Sequence, residues 1–271
     1  MEPESRLVIL TDLDGSLLDA ETHEYGPARL ALEDVHTRGI PVMFSTSKTF
    51  AEVEPLRQEM GNADPFIIEN GGAVYIPEGY FPEVPKKSFQ REGYHVLEFG
   101  TPYSTLREGL RTIEQKLGIR LKGFGDMSLD DVIAITGLSP IQAMAAQKRE
   151  YDEPFLVNNP SKMFEIRHEA GQLGLLVVLA GRFAHLIGGT HKGPACRALL
   201  DLFRQHWGAM KVVAIGASLN DIPVLEQADY PFLVEQPGGG YQSGIAFKQL
   251  IRVEGIGPVG WAKCIEQLGE T

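Results

Sequence analysis

The stretch Leu7-Val8-Ile9-Leu10-Thr11-Asp12-Leu13-Asp14-Gly15-Ser16 decides how the fold of this chain is read. Its apolar residues 7–10 are typical of a strand buried on both faces, as in a parallel sheet covered by helices. Functional groups in open α/β sheets collect at the carboxyl ends of strands, and here that end carries Asp12 and Asp14 in a glycine-containing turn. Two carboxylates this close repel each other unless a cation, a proton or backbone donors stabilise them. The pattern therefore indicates a metal site in which a carboxylate can attack an electrophile such as phosphorus. An ordinary Asx turn is the alternative.

Composition and charge exclude several classes of protein. The 271 residues are enough for about two domains. The formal net charge is −11, and no basic block with interleaved aromatics occurs, so nucleic acid is not an expected partner. No apolar run approaches the ~20 residues that span a bilayer, and residues 1–5 lack a signal-peptide pattern. We therefore expect a cytoplasmic protein with no membrane partner, with Cys196 and Cys264 as buried thiols; the oligomeric state is unknown from the sequence.

Alternation of strand and helix patterns predicts an α/β fold with a doubly wound, mostly parallel, Rossmann-like sheet. The predicted elements of this part are a helix over 28–38, strands over 40–44, 66–68 and 73–76, a helix to about 60, a helix over 192–206, a strand over 211–215, a helix over 219–227 and a final strand over 230–234. Prolines and glycine between residues 77 and 85 indicate a boundary.

The middle of the chain has a different pattern and predicts an inserted domain. Helices are expected near 103–117 and 139–149, followed by strands near 175–179 and 183–187. The predicted organisation is a discontinuous core domain over 1–84 and 190–271, with an α+β cap over 85–189. Such an insertion can close over a site as a lid and select the substrate.

Three further segments supply candidate site residues. Thr46 and Lys48 follow the second predicted strand, where a hydroxyl and backbone N–H groups suit phosphoryl oxygens; helix capping is the alternative. Lys192 begins a helix against the helix dipole, which suggests an anionic partner, although a solvated surface lysine gives the same pattern. Asn220 and Asp221 follow another buried strand, in a loop whose polar residues could also be helix caps.

Together these segments resemble the haloacid dehalogenase-type phosphatases. The resemblance rests on Asp-X-Asp-Gly-Ser at residues 12–16, followed in order by the hydroxyl, lysine and Asn-Asp segments above. It implies an Asp12 nucleophile that forms an aspartyl-phosphate and an Asp14 general acid and base. It also implies that Thr46 and Lys192 hold the phosphoryl group. Mg²⁺ is the implied cofactor, and the residues implied to surround it are Asp12, Asp14, Asp221 and Asn220.

Ala217 departs from this resemblance. The family's loop is usually Gly-Asp-X-X-Asn-Asp, whereas this chain has Gly216-Ala217-Ser218-Leu219-Asn220-Asp221. The missing carboxylate normally binds Mg²⁺ directly, so a lower metal affinity and rate are expected. Three explanations stay open: an engineered inactivating substitution, a natural variant with a rearranged metal shell, or a chain that has lost catalysis.

Other stretches resemble one branch, the mannosyl-3-phosphoglycerate phosphatases. The stretches are residues 46–49, 65–72, 149–155 and 181–186. The branch implies a small phosphorylated sugar acid as substrate, most simply mannosyl-3-phosphoglycerate, with glucosyl-3-phosphoglycerate or another sugar phosphate as the alternative. A non-catalytic sugar-phosphate binder is a further alternative because of Ala217. The expected substrate-binding residues are Lys48 in the turn after the second strand, Arg149 and Arg182 for the carboxylate, and Glu69 and Asn70 for sugar hydroxyls. For the two arginines the alternative is a surface salt bridge. For Glu69 and Asn70 the alternative is an ordinary turn.

Overall fold

A computed structural model of the chain describes residues 6–83 and 85–269. The outermost residues of the predicted domain ranges, 1–5 and 270–271, and residue 84 lie outside the described residues. The strands are β1 (Arg6–Thr11), β2 (Val42–Phe44), β3 (Phe66–Ile68), β4 (Ala73–Pro77), β5 (Phe89–Arg91), β6 (Tyr94–Glu98), β7 (Asp152–Phe155), β8 (Leu176–Ala180), β9 (Phe183–Ile187), β10 (Met210–Gly216), β11 (Tyr230–Glu235) and β12 (Ile251–Ile256). The α-helices are α1 (Arg29–Thr37), α2 (Phe50–Glu59), α3 (Tyr103–Leu117), α4 (Leu129–Thr136), α5 (Pro140–Ala146), α6 (Met163–Gln172), α7 (Lys192–Trp207), α8 (Ile222–Leu225) and α9 (Pro258–Gly269).

The core is a parallel sheet with helices on both faces. Its strand order is β12-β11-β10-β1-β2, so β1 is central, and every described pairing in it is parallel. One face packs against α1, α2 and α9, and the other packs against α7 and α8. Successive residues of β1 point to opposite faces, with Ile9 in one cluster and Leu10 in the other. The predicted doubly wound sheet is confirmed.

The core sheet contains one strand more than the sequence predicts, and this strand, β12, lies at one side of the sheet. The sequence predicts the final strand of the core over 230–234, but β12 pairs in parallel with β11, and α9 packs against it. Trp261 of α9 is fully buried, and its Nε1 donates to Thr11 Oγ1 at 3.0 Å. The edge strand was missed because only some of its residues are buried, so its sequence lacks a continuous apolar run.

A second sheet joins the first segment to part of the predicted insertion. Its order is β3-β4-β6-β5, all antiparallel, and an isolated parallel bridge between Ser45 and Ile67 links it to the end of β2. β5 and β6 fall within the range 85–189 that the sequence assigned to the cap. Their pairing with β4, and the packing of Tyr94 and Val96 into the core cluster, put them with the first segment instead. We propose that the insertion begins near residue 101.

The cap consists of a small sheet and helices. The order β7-β9-β8 is antiparallel, and α3 and α6 pack together on a cluster that includes Leu110, Ile166 and Leu186. The helices α4 and α5 lie beside it around Phe124 and Val132. Among the described residues, no helix is both long and apolar enough to cross a membrane.

Candidate active site

The strand ends bring the motif residues to one edge of the core sheet. β1 pairs with β2 on one side and with β10 on the other, and all three run in the same direction. The N–H of Asp12 donates to Ile215 of β10 at 3.0 Å, and the N–H of Ser45 donates to Thr11 at 2.8 Å. The segments after β1, β2 and β10 therefore meet above the carboxyl edge of the sheet.

Lys192 connects two of these segments. Its Nζ lies 2.8 Å from Asp12 Oδ1 and 2.7 Å from Asp221 Oδ1, and the side chain is buried. Burial alone would lower the pKa of Lys192, but the two carboxylates outweigh burial and hold the pKa above its usual range. They also supply the negative charge that a lysine at a helix N-terminus requires. The solvated-lysine alternative does not apply.

The negative charge close to Asp12 is more than the Lys192 ammonium alone neutralises. Burial raises the pKa of Asp12 to about 7, with the charge of Asp221 adding to the effect and Lys192 opposing it. A further cation beside Asp12 would stabilise the ionised carboxylate. The electrostatics of the site therefore favour a bound metal ion or another positive charge.

Asp14 is in a different environment. Its Oδ1 lies 2.9 Å from Lys48 Nζ and 3.3 Å from His23 Nδ1. Burial would raise the pKa of Asp14, but these two partners outweigh it and hold the pKa well below its usual range. His23 was not predicted from the sequence, because it lies in the segment between β1 and α1 and belongs to no motif. The backbone of His23 has a positive φ of 60°, which is uncommon for a residue other than glycine.

Thr46 shapes the turn after β2. Its hydroxyl accepts a hydrogen bond from the N–H of Lys48 at 3.1 Å, and its carbonyl accepts one from the N–H of Asn70 at 2.9 Å. The side chain is fully buried. These bonds fix the path of the turn that aims Lys48 at Asp14.

The loop after β10 directs Asp221 at Lys192. Asp221 Oδ2 accepts from the N–H groups of Ala217 and Ser218 at 3.0 and 2.9 Å, while Oδ1 receives the lysine. The Nδ2 group of Asn220 donates to Asn70 Oδ1 at 2.9 Å. In this geometry Asp221 orients Lys192, and Asn220 belongs to a side-chain network.

The oxygen donors at this site are of the type that Mg²⁺ prefers, but too few of the described acidic side chains are grouped together to hold the ion. Across residues 6–83 and 85–269, no group of three or more His, Cys, Asp or Glu side chains is arranged to hold a metal ion. Ala217 lies against the turn after β1, since a Cβ built on Gly15 would come within 3.9 Å of the Ala217 Cβ. A carboxylate at position 217 would thus adjoin Asp12 and Asp14. The remaining oxygen donors are of the hard type that Mg²⁺ prefers, and the raised pKa of Asp12 calls for a cation.

Glu69 and Asn70 do not lie along the main cavity. Both are buried, in a short 3₁₀ turn where they have positive φ values of 46° and 56°. The carboxylate of Glu69 accepts from the N–H groups of Glu150 and Tyr151 at 2.8–3.1 Å, and Asn70 donates to Asp152 at 2.7 Å. The structure therefore uses them to hold the start of β7, whereas the sequence analysis expected contacts with sugar hydroxyls. The positive φ values turn these side chains away from the cavity.

A cavity of about 590 Å³ lies between the core edge and the cap. Arg149 and Arg182 both line it, as do Asp12, Asp14 and Lys48. Arg149 is tied to main-chain carbonyls, with Nη1 2.7 Å from Ser47 O and Nε 2.9 Å from Ala146 O. Arg182 donates to the carbonyl of Ile135. The cavity thus has carboxylates at its core end and guanidinium groups on its cap side.

Comparison with known proteins identifies the family. A family model described as haloacid dehalogenase-like hydrolase matches residues 9–90. A glucosyl-3-phosphoglycerate/mannosyl-3-phosphoglycerate phosphatase from Methanococcoides burtonii is 42% identical over 265 residues, which is 96% of each chain. A mannosyl-3-phosphoglycerate phosphatase from Pyrococcus horikoshii is 34% identical over 229 residues, which is 84% of this chain and 90% of the relative. The chain belongs to this phosphatase family of the haloacid dehalogenase-like hydrolases.

Solved structures agree on the fold. A haloacid dehalogenase-like hydrolase from Bacteroides thetaiotaomicron has a TM-score of 0.68 at 16% identity, covering 98% of this chain and all of the other. The sucrose-phosphatase of Synechocystis sp. PCC6803 has a TM-score of 0.62 at 16% identity, covering 98% of each chain. At this identity the likeness shows the fold, which is the Rossmann-like core with a cap.

Membership of the family makes the chain a phosphoric monoester hydrolase. The site chemistry agrees with this class. A phosphoryl group needs positive charge around its oxygens and a nucleophile in line, and the edge of the core sheet offers the Lys192 ammonium beside Asp12 and the Lys48 ammonium beside Asp14.

Proposed function

We propose that this chain hydrolyses mannosyl-3-phosphoglycerate to mannosylglycerate and phosphate. The observation that carries the proposal is the buried Asp12–Lys192–Asp221 cluster beneath a cavity with guanidinium groups on its cap side. Such a cavity suits a ligand with a phosphate at one end and a carboxylate at the other. Glucosyl-3-phosphoglycerate is the second substrate to test, because the Methanococcoides burtonii relative is named for both sugars.

In the proposed mechanism Asp12 attacks phosphorus in line and forms an aspartyl-phosphate. Lys192 and the Thr46 turn hold phosphoryl charge. Asp14 protonates the leaving oxygen and then takes a proton from the attacking water. Its lowered pKa keeps the carboxylate ionised, which is the form that the second role requires. For the first role, a bound phosphoryl group competes for the Lys48 ammonium and adds negative charge, and both effects favour a protonated Asp14.

Mg²⁺ is the proposed cofactor. The Asp12 carboxylate and the main-chain carbonyl of Asp14 would hold it, with Asn220 and Asp221 behind them. When bound, it neutralises phosphoryl charge that builds up in the reaction. Because Ala217 supplies no carboxylate, we propose that this chain binds Mg²⁺ more weakly than a variant with Asp at that position.

The test measures phosphate release from the mannosyl and glucosyl esters, with and without Mg²⁺, on this chain and on Ala217→Asp. We expect Mg²⁺-dependent release by this chain, a lower Mg²⁺ requirement for Ala217→Asp, and loss of release in Asp12→Asn. Full turnover by Asp12→Asn would remove Asp12 as nucleophile. Equal rates on both esters and on simple sugar phosphates would overturn the substrate assignment.

A non-catalytic binder of phosphorylated sugars is the second candidate, because of the alanine at position 217 beside the Asp12 turn. A chain of that kind would bind the mannosyl ester with measurable affinity and release no phosphate at any Mg²⁺ concentration. Gain of release in Ala217→Asp alone would support this candidate over the first.

A further inference from the structure

His185 lies in the cavity and is assigned no role by the mechanism above. It is the middle residue of β9, where Ala184 and Leu186 on either side face the apolar cluster of the cap. Because side chains alternate along a strand, His185 faces the other way, and its ring lines the cavity near Arg149 and Arg182. It is 4% exposed, so the ring is held in place rather than moving freely in solvent.

A buried carboxylate sets the orientation of this ring. His185 Nδ1 lies 3.0 and 2.9 Å from the two carboxylate oxygens of Asp152 on the neighbouring strand β7. A carboxylate accepts hydrogen bonds, so this geometry favours the tautomer in which Nδ1 carries the proton and donates to Asp152. In that tautomer the acceptor of the ring is Nε2. Within residues 6–83 and 85–269, no hydrogen bond to Nε2 is found.

Asp152 is itself fixed from the core. Asn70 Nδ2 donates to Asp152 Oδ2 at 2.7 Å, and Asn220 Nδ2 donates to Asn70 Oδ1 at 2.9 Å. A buried chain of side chains therefore runs from the loop after β10 to His185. Asp152 is fully buried, so the carboxylate cannot turn to solvent and release the ring.

A bound sugar also needs hydrogen-bond acceptors. The charged groups that line the cavity on the cap side, Arg149 and Arg182, are donors that cannot accept a hydrogen bond, whereas the charged acceptors Asp12, Asp14 and Glu52 lie on the core side. A sugar hydroxyl can accept from these groups, but its own proton requires an acceptor if the hydroxyl is to be buried at low cost. The geometry points to His185 Nε2 as the acceptor for a hydroxyl of the sugar, with Asp152 as the positioning residue that fixes the tautomer. This inference rests on the proposed sugar-linked substrate.

The test compares binding of two ligands that differ by the sugar. Dissociation constants are measured by calorimetry for mannosyl-3-phosphoglycerate and for 3-phosphoglycerate, in an Asp12→Asn background that does not turn substrate over. In His185→Asn the amide nitrogen can still donate to Asp152, but no acceptor reaches the cavity. We expect the dissociation constant of the mannosyl ligand to rise about tenfold, as for one lost buried hydrogen bond, and that of 3-phosphoglycerate to change less than about twofold.

His185→Gln is the second variant, since its longer amide brings an acceptor oxygen close to the position of Nε2. It should recover part of the lost affinity, and it carries the comparison if thermal unfolding shows that His185→Asn is not folded. His168→Asn, the same change at an exposed position of α6, is the matched control and should bind both ligands as the background does.

Two results would overturn the inference. Equal weakening of both ligands would place His185 at the carboxylate or the phosphate, and no weakening of either would place it outside the binding site. Both results are binding measurements and do not depend on catalysis. Failure of the proposed function shows instead as absence of phosphate release from both esters by the unaltered chain.

Discussion

Lys192 lies between the carboxylates of Asp12 and Asp221, and its side chain is almost fully buried. A single ammonium thus stabilises two acids that otherwise repel each other, and the pKa of Asp12 still rises to about 7. Removing the ammonium would leave two buried carboxylates without a counter-ion, which is the costly way to break a buried ion pair.

We expect Lys192→Met to lower the free energy of unfolding by about 3 kcal/mol or more and to abolish phosphate release. Denaturant titration and a phosphate assay measure the two effects. Lys211→Met is the control, because the Lys211–Asp229 pair has a similar distance of 2.8 Å but side chains that are 48% and 35% exposed. That change should cost less than about 1 kcal/mol. Equal costs for the two variants would contradict the burial argument.

Among the secondary-structure elements, the start of α2 links the core to the cap. Thr49 forms a capping box with Glu52, in which the N–H of Glu52 donates to Thr49 Oγ1 at 3.2 Å and the N–H of Thr49 donates to Glu52 Oε2 at 2.9 Å. The same hydroxyl lies 2.9 Å from the carbonyl of Ala145 in α5. One side chain therefore caps a core helix and holds a cap helix beside the cavity.

Thr49→Ala should lower the free energy of unfolding by about 1–2 kcal/mol through the lost cap, and should also raise KM because α5 loses a hydrogen bond to the core. Steady-state kinetics and denaturant titration measure the two effects. Ser128→Ala removes a similar capping box at the exposed start of α4, so it should cost stability with little change in KM. Thr49→Ser keeps the hydroxyl and should leave both values close to those of the unaltered chain. If the KM of Thr49→Ala changes as little as the KM of Ser128→Ala, the link is contradicted.

The features that could be predicted from the sequence are those that depend on neighbouring residues along the chain. The acid turn at residues 12–14 and the strand before it were readable because the apolar run and the turn residues are adjacent. Glu69 and Asn70 were assigned to sugar hydroxyls because the positive φ values that turn them inward leave no local signal. The pairing of β5 and β6 with β4 was missed for the same reason, since strand partners depend on long-range packing.

At the scale of the whole molecule, Glu69 ties the core to the start of β7. Its carboxylate accepts hydrogen bonds from the N–H groups of Glu150 and Tyr151. Burial raises the pKa of Glu69 to about 8; Asp152 adds to the effect, and Arg149 and the two N–H groups oppose it. The junction between core and cap therefore holds a carboxyl group that keeps its proton at neutral pH.

Stability should consequently fall as pH rises from about 4.5 to about 8. Over that range the folded chain keeps the proton of Glu69 while the unfolded chain has lost it, so unfolding becomes easier by up to about 1.4 kcal/mol per pH unit. Glu69→Gln should flatten this slope, and Glu78→Gln, at an exposed position, should not. Denaturant titrations across the range measure the slopes, and parallel profiles for the parent chain and Glu69→Gln would refute the assignment.

The Lys192–Asp12 contact joins residues 180 positions apart. Because β1 is the central strand and β10 is one of its two neighbours, β1 is synthesised long before one of the strands with which it pairs. During synthesis, Asp12 has no counter-ion from Lys192 until the whole insertion has been made. The Asp12–Lys192–Asp221 cluster can therefore form only late in synthesis, when the residues of the cap have already been made.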